Sequence, residues 1–152
     1  MGHPMDDGEL EAFLGSVPAR TGKLATVRAD GRPHVAPIWF ALDRSTAGPD
    51  APFGDLVFNT DAATVKGRNI ARDPRLALCV DDDRPPFSFV TVEGTATVSE
   101  DPEELLHWAT VIGGRYMGAD QAEAYGRRNG GPGELVVRLH PTHVVGVADL
   151  AD

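Results

Sequence analysis

A chain of 152 residues, 41% hydrophobic and 24% charged, has the balance of one soluble globular unit rather than a disordered segment. Folding at that length buries roughly two-thirds of the surface of the unfolded chain, so neither a disulfide nor a structural metal is needed, and the lone cysteine excludes an intramolecular disulfide. The net charge of −9 argues against nucleic acid, and no apolar stretch approaches the roughly 20 residues of a membrane span or follows a basic leader, so a cytoplasmic protein is expected.

In chain order, residues 1–5 read as a flexible start or a tag remnant, and His3 therefore enters no metal argument. Over residues 6–14, Leu10, Phe13 and Leu14 recur at helical spacing behind acids that suit the positive end of a helix dipole. Residues 23–28 read as a strand, 29–32 as a tight turn whose Asp30-Gly31 supplies the positive φ angles, and 33–42 as the returning strand. A loop containing Gly, Ser and two prolines leads to a strand over residues 55–60. Asp61 is expected to cap a helix reaching about Ala71, with Val65 and Ile70 inward and Asp73-Pro74 as its stop.

Residues 75–80 and 87–99 are the next strands, the first almost continuously apolar and the second alternating through Val90, Val92 and Gly94. Cys79, in the first of them, reads as a buried small hydrophobe. A helix from Asp101 to Tyr116, a short one near residues 121–127 and a break over 129–133 follow. Two last strands, 135–139 and 144–147, are expected to join through a turn at His140-Pro141-Thr142-His143. About seven short strands at hairpin-like spacing favour a mainly β antiparallel barrel over a parallel βαβ sheet, with residues 1–152 forming one domain.

The usual hydrolase, nucleotide-phosphate and zinc signatures are missing. His140 and His143 lack a nearby carboxylate or cysteine and read as turn residues, so no metal site is expected. The more informative stretch runs from Asn59 to Asn69, where a strand end feeds a capped helix carrying hydroxyls and cations. Helix-start amides, the hydroxyls of Thr60 and Thr64, and the Lys66 ammonium can converge on one phosphate, with Lys66 and Asn69 sharing a face at i, i+3. The plain alternative is a solvated basic helix, since Lys66, Arg68, Arg72 and Arg75 stand against Asp73 alone. In Pro33 to Phe40, Pro37 interrupts a strand and so belongs at an edge or bulge, where backbone groups are free to meet a ligand, beside the aromatic surface of Trp39 and Phe40.

Four segments taken in order, Leu24-Ala25-Thr26-Val27, Asp30 to Phe40, Lys66-Gly67-Arg68-Asn69 with Arg72-Asp73-Pro74-Arg75, and Val92-Glu93-Gly94-Thr95-Ala96, resemble the pyridoxamine 5'-phosphate oxidase-like superfamily, and within it the branch that uses the deazaflavin coenzyme F420. The resemblance implies a six-stranded antiparallel split β-barrel, a homodimer, and a cofactor in each of two grooves between the subunits. It places Pro37, Ile38 and Trp39 along the ring system; Asn59, Thr60, Thr64, Lys66 and Asn69 at the ring edge and phosphate; and Phe87 as a contribution from the other subunit. The chain ends Val147-Ala148-Asp149-Leu150-Ala151-Asp152 instead of in the basic Arg-Leu-x-Pro motif of the pyridoxal-phosphate oxidases, which argues against a pyridoxamine phosphate substrate. What is implied is hydride transfer from reduced F420 to a small conjugated or quinone-like substrate, with no obligatory catalytic acid or base in the protein. The alternatives are FMN in the same fold, and a non-catalytic protein that binds the cofactor or haem.

Overall fold

The computed structural model describes residues 1–152. It contains strands β1 (His3–Pro4), β2 (Gly22–Val27), β3 (Pro33–Ile38), β4 (Ala41–Asp43), β5 (Asp55–Asp61), β6 (Arg75–Asp82), β7 (Ser88–Ser99) and β8 (Glu134–Ala148), with helices α1 (Asp7–Leu14), α2 (Val65–Arg72), α3 (Pro102–Met117) and α4 (Ala122–Asn129). All pairings are antiparallel, in the order β3-β2-β6-β7-β8-β5-β4, with β1 added to β8.

The two edges of this sheet, β3 and β4, come from the single strand expected over residues 33–42. The chain leaves β2 after Ile38, passes through Trp39-Phe40 and joins β5 at Ala41. One short segment thus spans the gap between the first and last strands, and the sheet curls into a split barrel that the chain, rather than a hydrogen-bond ladder, closes. Phe40 is fully buried at this crossing and so plugs the seam.

Eighteen buried residues fill the barrel, among them Leu24, Phe40, Phe58, Leu78, Val80, Val90, Val92 and Leu139. A second cluster, Ala41, Val57, Leu105, Trp108, Ile112 and Val136, lies between the outer face of the sheet and α3. In β5, Leu56 and Phe58 point inward while Val57 meets α3; in β8, Leu135 and Val137 flank Val136 in the same way. Being covered on both faces is why these strands read as unbroken apolar runs. Helix α3 supplies Leu105, Trp108, Ala109 and Ile112 at helical spacing and starts with Pro102 behind the Asp101 cap. No helix is long and apolar enough to cross a membrane.

Several local expectations are corrected. In the hairpin turn only Gly31 has a positive φ, 86°, because the loop is a turn closed by Gly31 N–H to Arg28 O at 2.9 Å with Gly31 as the left-handed residue after it. The turn expected at residues 140–143 does not exist: β8 runs straight through, and a register shift that pairs Gly94 with Pro141 and Glu93 with His143 leaves Thr142 as the extra residue of a bulge. Such a bulge accommodates a proline that has no N–H for the ladder. Cys79 is only partly buried, because strand alternation turns it away from the barrel between Lys23 and Thr91. His3 and Pro4, expected outside the fold, pair with Ala148 and Val147, and Met5 packs on the core.

Candidate functional site

The cleft of interest opens where β5 ends, α2 begins and α3 passes behind. Its volume is about 260 Å³, and it is lined by Ile38, Trp39, Asn59, Thr60, Asp61, Thr64, Lys66, Ala109, Ile112, Asn129 and Glu134. Six of the nine residues anticipated from sequence therefore meet in one place. The other three do not line it. Pro37 is exposed on the β3 edge. Phe87 is 40% exposed on the loop before β7. Asn69 is 4% exposed and turned toward β2, where its Nδ2 donates to Thr26 Oγ1 at 3.0 Å and its Oδ1 accepts from Arg72 Nη2 at 3.2 Å. Residues at i and i+3 differ by about 60° around a helix, enough to send Lys66 into the cleft and Asn69 into the structure.

The helix start is built by Thr64, not Asp61. Thr64 Oγ1 accepts from Gly67 N–H at 3.1 Å and donates to Asp61 O at 2.7 Å, while Asp61 Oδ1 accepts from Ala63 N–H at 2.7 Å to hold the turn before it. Gly67 is required here because a Cβ would run into Asp61 O. With Gly67 N–H taken by Thr64 Oγ1 and Arg68 N–H by Thr64 O, the amides of Val65 and Lys66 are the open donors of the first turn. Thr60 Oγ1 lies 3.3 Å from Thr64 Oγ1. Of the two lysines, Lys23 pairs with Asp81 at 2.9 Å, whereas Lys66 makes no salt bridge. Facing it are two carboxylates that sequence reasoning did not single out, Asp61 and Glu134, which are direct cross-strand partners. Burial and the Asp61 charge raise the Glu134 pKa, and Lys66 opposes them.

At the other end, Asn59 Nδ2 donates to Leu105 O at 3.2 Å and Asn129 O at 3.4 Å, which fixes the amide orientation. Its Oδ1 is buried and has no partner. That atom is an acceptor waiting for a donor, since a buried polar atom left unpaired costs about 1–3 kcal/mol. Trp39 forms the adjoining wall, stacked on Tyr116 with ring centroids 5.1 Å apart and planes 4° from parallel, and tilted against Tyr125 at 5.8 Å.

Trp39 is held by an anchor that no sequence motif announced. Arg115, on α3, donates to Phe40 O at 2.5 Å, Leu14 O at 2.7 Å and Ser16 O at 3.5 Å, and its guanidinium lies 4.8 Å from the centre of the Phe40 ring. Tyr116 adds a bond from its hydroxyl to Arg20 O at 2.7 Å and accepts from Phe40 N–H at 3.3 Å. Burial without a carboxylate lowers the Arg115 pKa.

The cleft thus combines a helix start with a free cation, an unpartnered acceptor and an aromatic wall, the requirements of a planar heterocycle that carries a phosphate. Its residues fit a flavin or deazaflavin, and the fold around it defines a split-barrel protein of flavin-binding type. The family model described as pyridoxamine 5'-phosphate oxidase matches residues 7–148, so the chain belongs to that family. It is 30% identical over 126 residues to the 5a,11a-dehydrotetracycline/5a,11a-dehydrooxytetracycline reductase of Streptomyces rimosus, covering 82% of this chain and 71% of that protein. Among solved structures it is similar to a conserved hypothetical protein of Mycobacterium tuberculosis, at TM-score 0.76 and 27% identity over 93% of this chain and 84% of that one. It is also similar to an F420 reductase, at TM-score 0.63 and 30% identity over 88% of this chain and 94% of that one.

Proposed function

We propose that this protein is an oxidoreductase that binds reduced coenzyme F420 in the described cleft, at a homodimer interface, and reduces a small conjugated or quinone-like substrate. The observation that carries this reading is the cleft itself, where Asn59 Oδ1, Trp39 and the unpaired Lys66 stand in one lining. The similarity to one protein named as an F420 reductase and another named as a dehydrotetracycline reductase supports the same direction.

When bound there, reduced deazaflavin would supply the hydride for an electrophilic carbon of the substrate. The protein's part is binding and orientation. Lys66, Thr60 and the amides of Val65 and Lys66 would hold the phosphate. Asn59 Oδ1 would accept a hydrogen bond from the ring, and Trp39 with Ile38 would wall the ring system. Ala109 and Ile112 keep water from the inner wall. Catalysis through positioning requires no side chain to act as acid or base.

A cleft of about 260 Å³ lies below the range typical of sites that enclose a ligand of this size. A second copy of the chain would complete it, and Phe87 and Val35, 40% and 66% exposed, are apolar surface for that contact. Sedimentation at micromolar concentration should show a dimer; a monomer would count against the shared site. FMN in the same cleft is the second reading, because a lone cation and an amide acceptor serve either ring. Haem has less support, since no His, Cys, Met or Tyr lines the cleft to ligate iron.

The test is a titration of the purified protein with F420 and with FMN, following tryptophan emission. Trp39 lines the cleft and should be quenched, with buried Trp108 as background. Saturable quenching by F420, followed by substrate-dependent oxidation of the reduced cofactor, is expected. Tighter FMN binding would move the protein to the flavin reading, and binding without turnover would make it a carrier.

A further inference from the structure

The phosphate end of the cleft holds fewer positive charges than negative ones. Within one protomer Lys66 is its only cation, while Asp61 at the end of β5 and Glu134 at the start of β8 are directly paired across the two strands and line the same space. No other charged side chain from β5, β8, α2, α3 or α4 lines it. Opposed carboxylates repel, and their own ladder does not require them: the backbone pairing of Asp61 with Glu134 is indifferent to side-chain charge. Neither Asp61 nor Glu134 takes part in a salt bridge. A phosphate that reaches Lys66 must therefore approach two carboxylates as well.

The two candidate cofactors differ at this point. FMN ends in a phosphomonoester, whose second ionisation falls near pH 6 and which is largely doubly charged at neutral pH. The phosphate of F420 is a diester with a single negative charge, because its second oxygen is esterified to the rest of the tail. A pocket with one free cation and two carboxylates accommodates the second charge poorly.

We propose that Asp61 and Glu134 are specificity-determining residues that make the Lys66 pocket select a singly charged phosphodiester over a doubly charged phosphomonoester. The inference rests on the cleft being the cofactor site. It gives the carboxylates a role in ligand choice rather than in hydride transfer, so neither is a catalytic residue. Burial and the Asp61 charge favour the neutral form of Glu134, which moderates the discrimination as the pH falls.

The experiment measures dissociation constants for F420 and for FMN, by calorimetry, in the wild type, in Glu134→Gln and in Asp61→Asn. Asp61→Asn keeps an oxygen that can accept from Ala63 N–H. At about pH 7.5, F420 should bind more tightly than FMN to the wild type, and each substitution should tighten FMN roughly tenfold while tightening F420 by roughly threefold or less. At about pH 5.5, where the monoester has gained a proton, the difference between the ligands should shrink in the wild type and change little in the variants. Equal tightening of both ligands, no change in either, or preferential FMN binding by the wild type would overturn the proposal while leaving the cleft as the cofactor site. Failure of the wild type to bind either ligand would refute the cofactor reading itself, and this inference with it. Unfolding midpoints of the variants serve as the control that the cleft is intact.

Discussion

Replacing Lys66 with alanine isolates what the cleft contributes to anion binding. The side chain caps nothing and makes no salt bridge, so its removal leaves the Thr64 cap and the Asp61 turn in place. What is lost is one charge-assisted contact to the phosphate, about 1.5–3 kcal/mol. Remaining donors at Thr60 and the first-turn amides are neutral, and the phosphate then faces Asp61 and Glu134 without compensation. The dissociation constant for F420 should rise roughly ten- to hundredfold. Tryptophan quenching or calorimetry measures it, and the unfolding free energy should stay within about 0.5 kcal/mol of the wild type, as for a surface substitution. Added salt should weaken wild-type binding more steeply than binding to Lys66→Ala, since the screened attraction is gone from the variant. An affinity within about twofold of the wild type in a folded Lys66→Ala protein would refute the placement of the phosphate.

Arg115→Met should cost about 3 kcal/mol and lower the melting temperature by about 6–12 °C, because the carbonyls of Phe40 and Leu14 lose charge-assisted donors; thermal unfolding checks this, and Arg115→Lys should recover only part of the loss. Gly67→Ala should destabilise by about 1–3 kcal/mol and weaken cofactor binding, since the new methyl meets Asp61 O and pushes Thr64 and Lys66 from the cleft. Glu134 has a folded-state pKa above its unfolded value, so its favourable contribution exists below the unfolded pKa and is lost as pH rises through the folded one. Glu134→Gln should therefore raise stability at about pH 7.5 by up to about 1 kcal/mol and by nothing below about pH 4, as urea midpoints at the two pH values will show.

The tight packing around residues 39 and 40 explains where reading the sequence stopped short. Pro33 to Leu42 reads as one strand, and nothing local distinguishes a strand that pairs with β2 throughout from one that leaves β2 at Ile38 to pair with β5 at Ala41. The choice depends on the curl of the whole sheet. The same limit applies to His140-Pro141-Thr142-His143, whose proline suggested a turn but which β7 holds in line through a bulge.

By itself the sequence determined what rests on local periodicity and on residue chemistry at fixed spacing. Short apolar runs and, over residues 87–99, alternation set the barrel strands, Pro102 and its acids set the start of α3, and the run from Asn59 to Lys66 carried hydroxyls and a cation to one strand-to-helix junction. Only the tertiary structure decided which distant groups share that junction. It turned Asn69 inward to Thr26, brought Glu134 beside Asp61, set Tyr116 behind Trp39, and ran Arg115 to the carbonyls of two separate segments. Those contacts follow from strand register and helix docking, which depend on the free energy of the assembled sheet and leave no periodic trace in the chain.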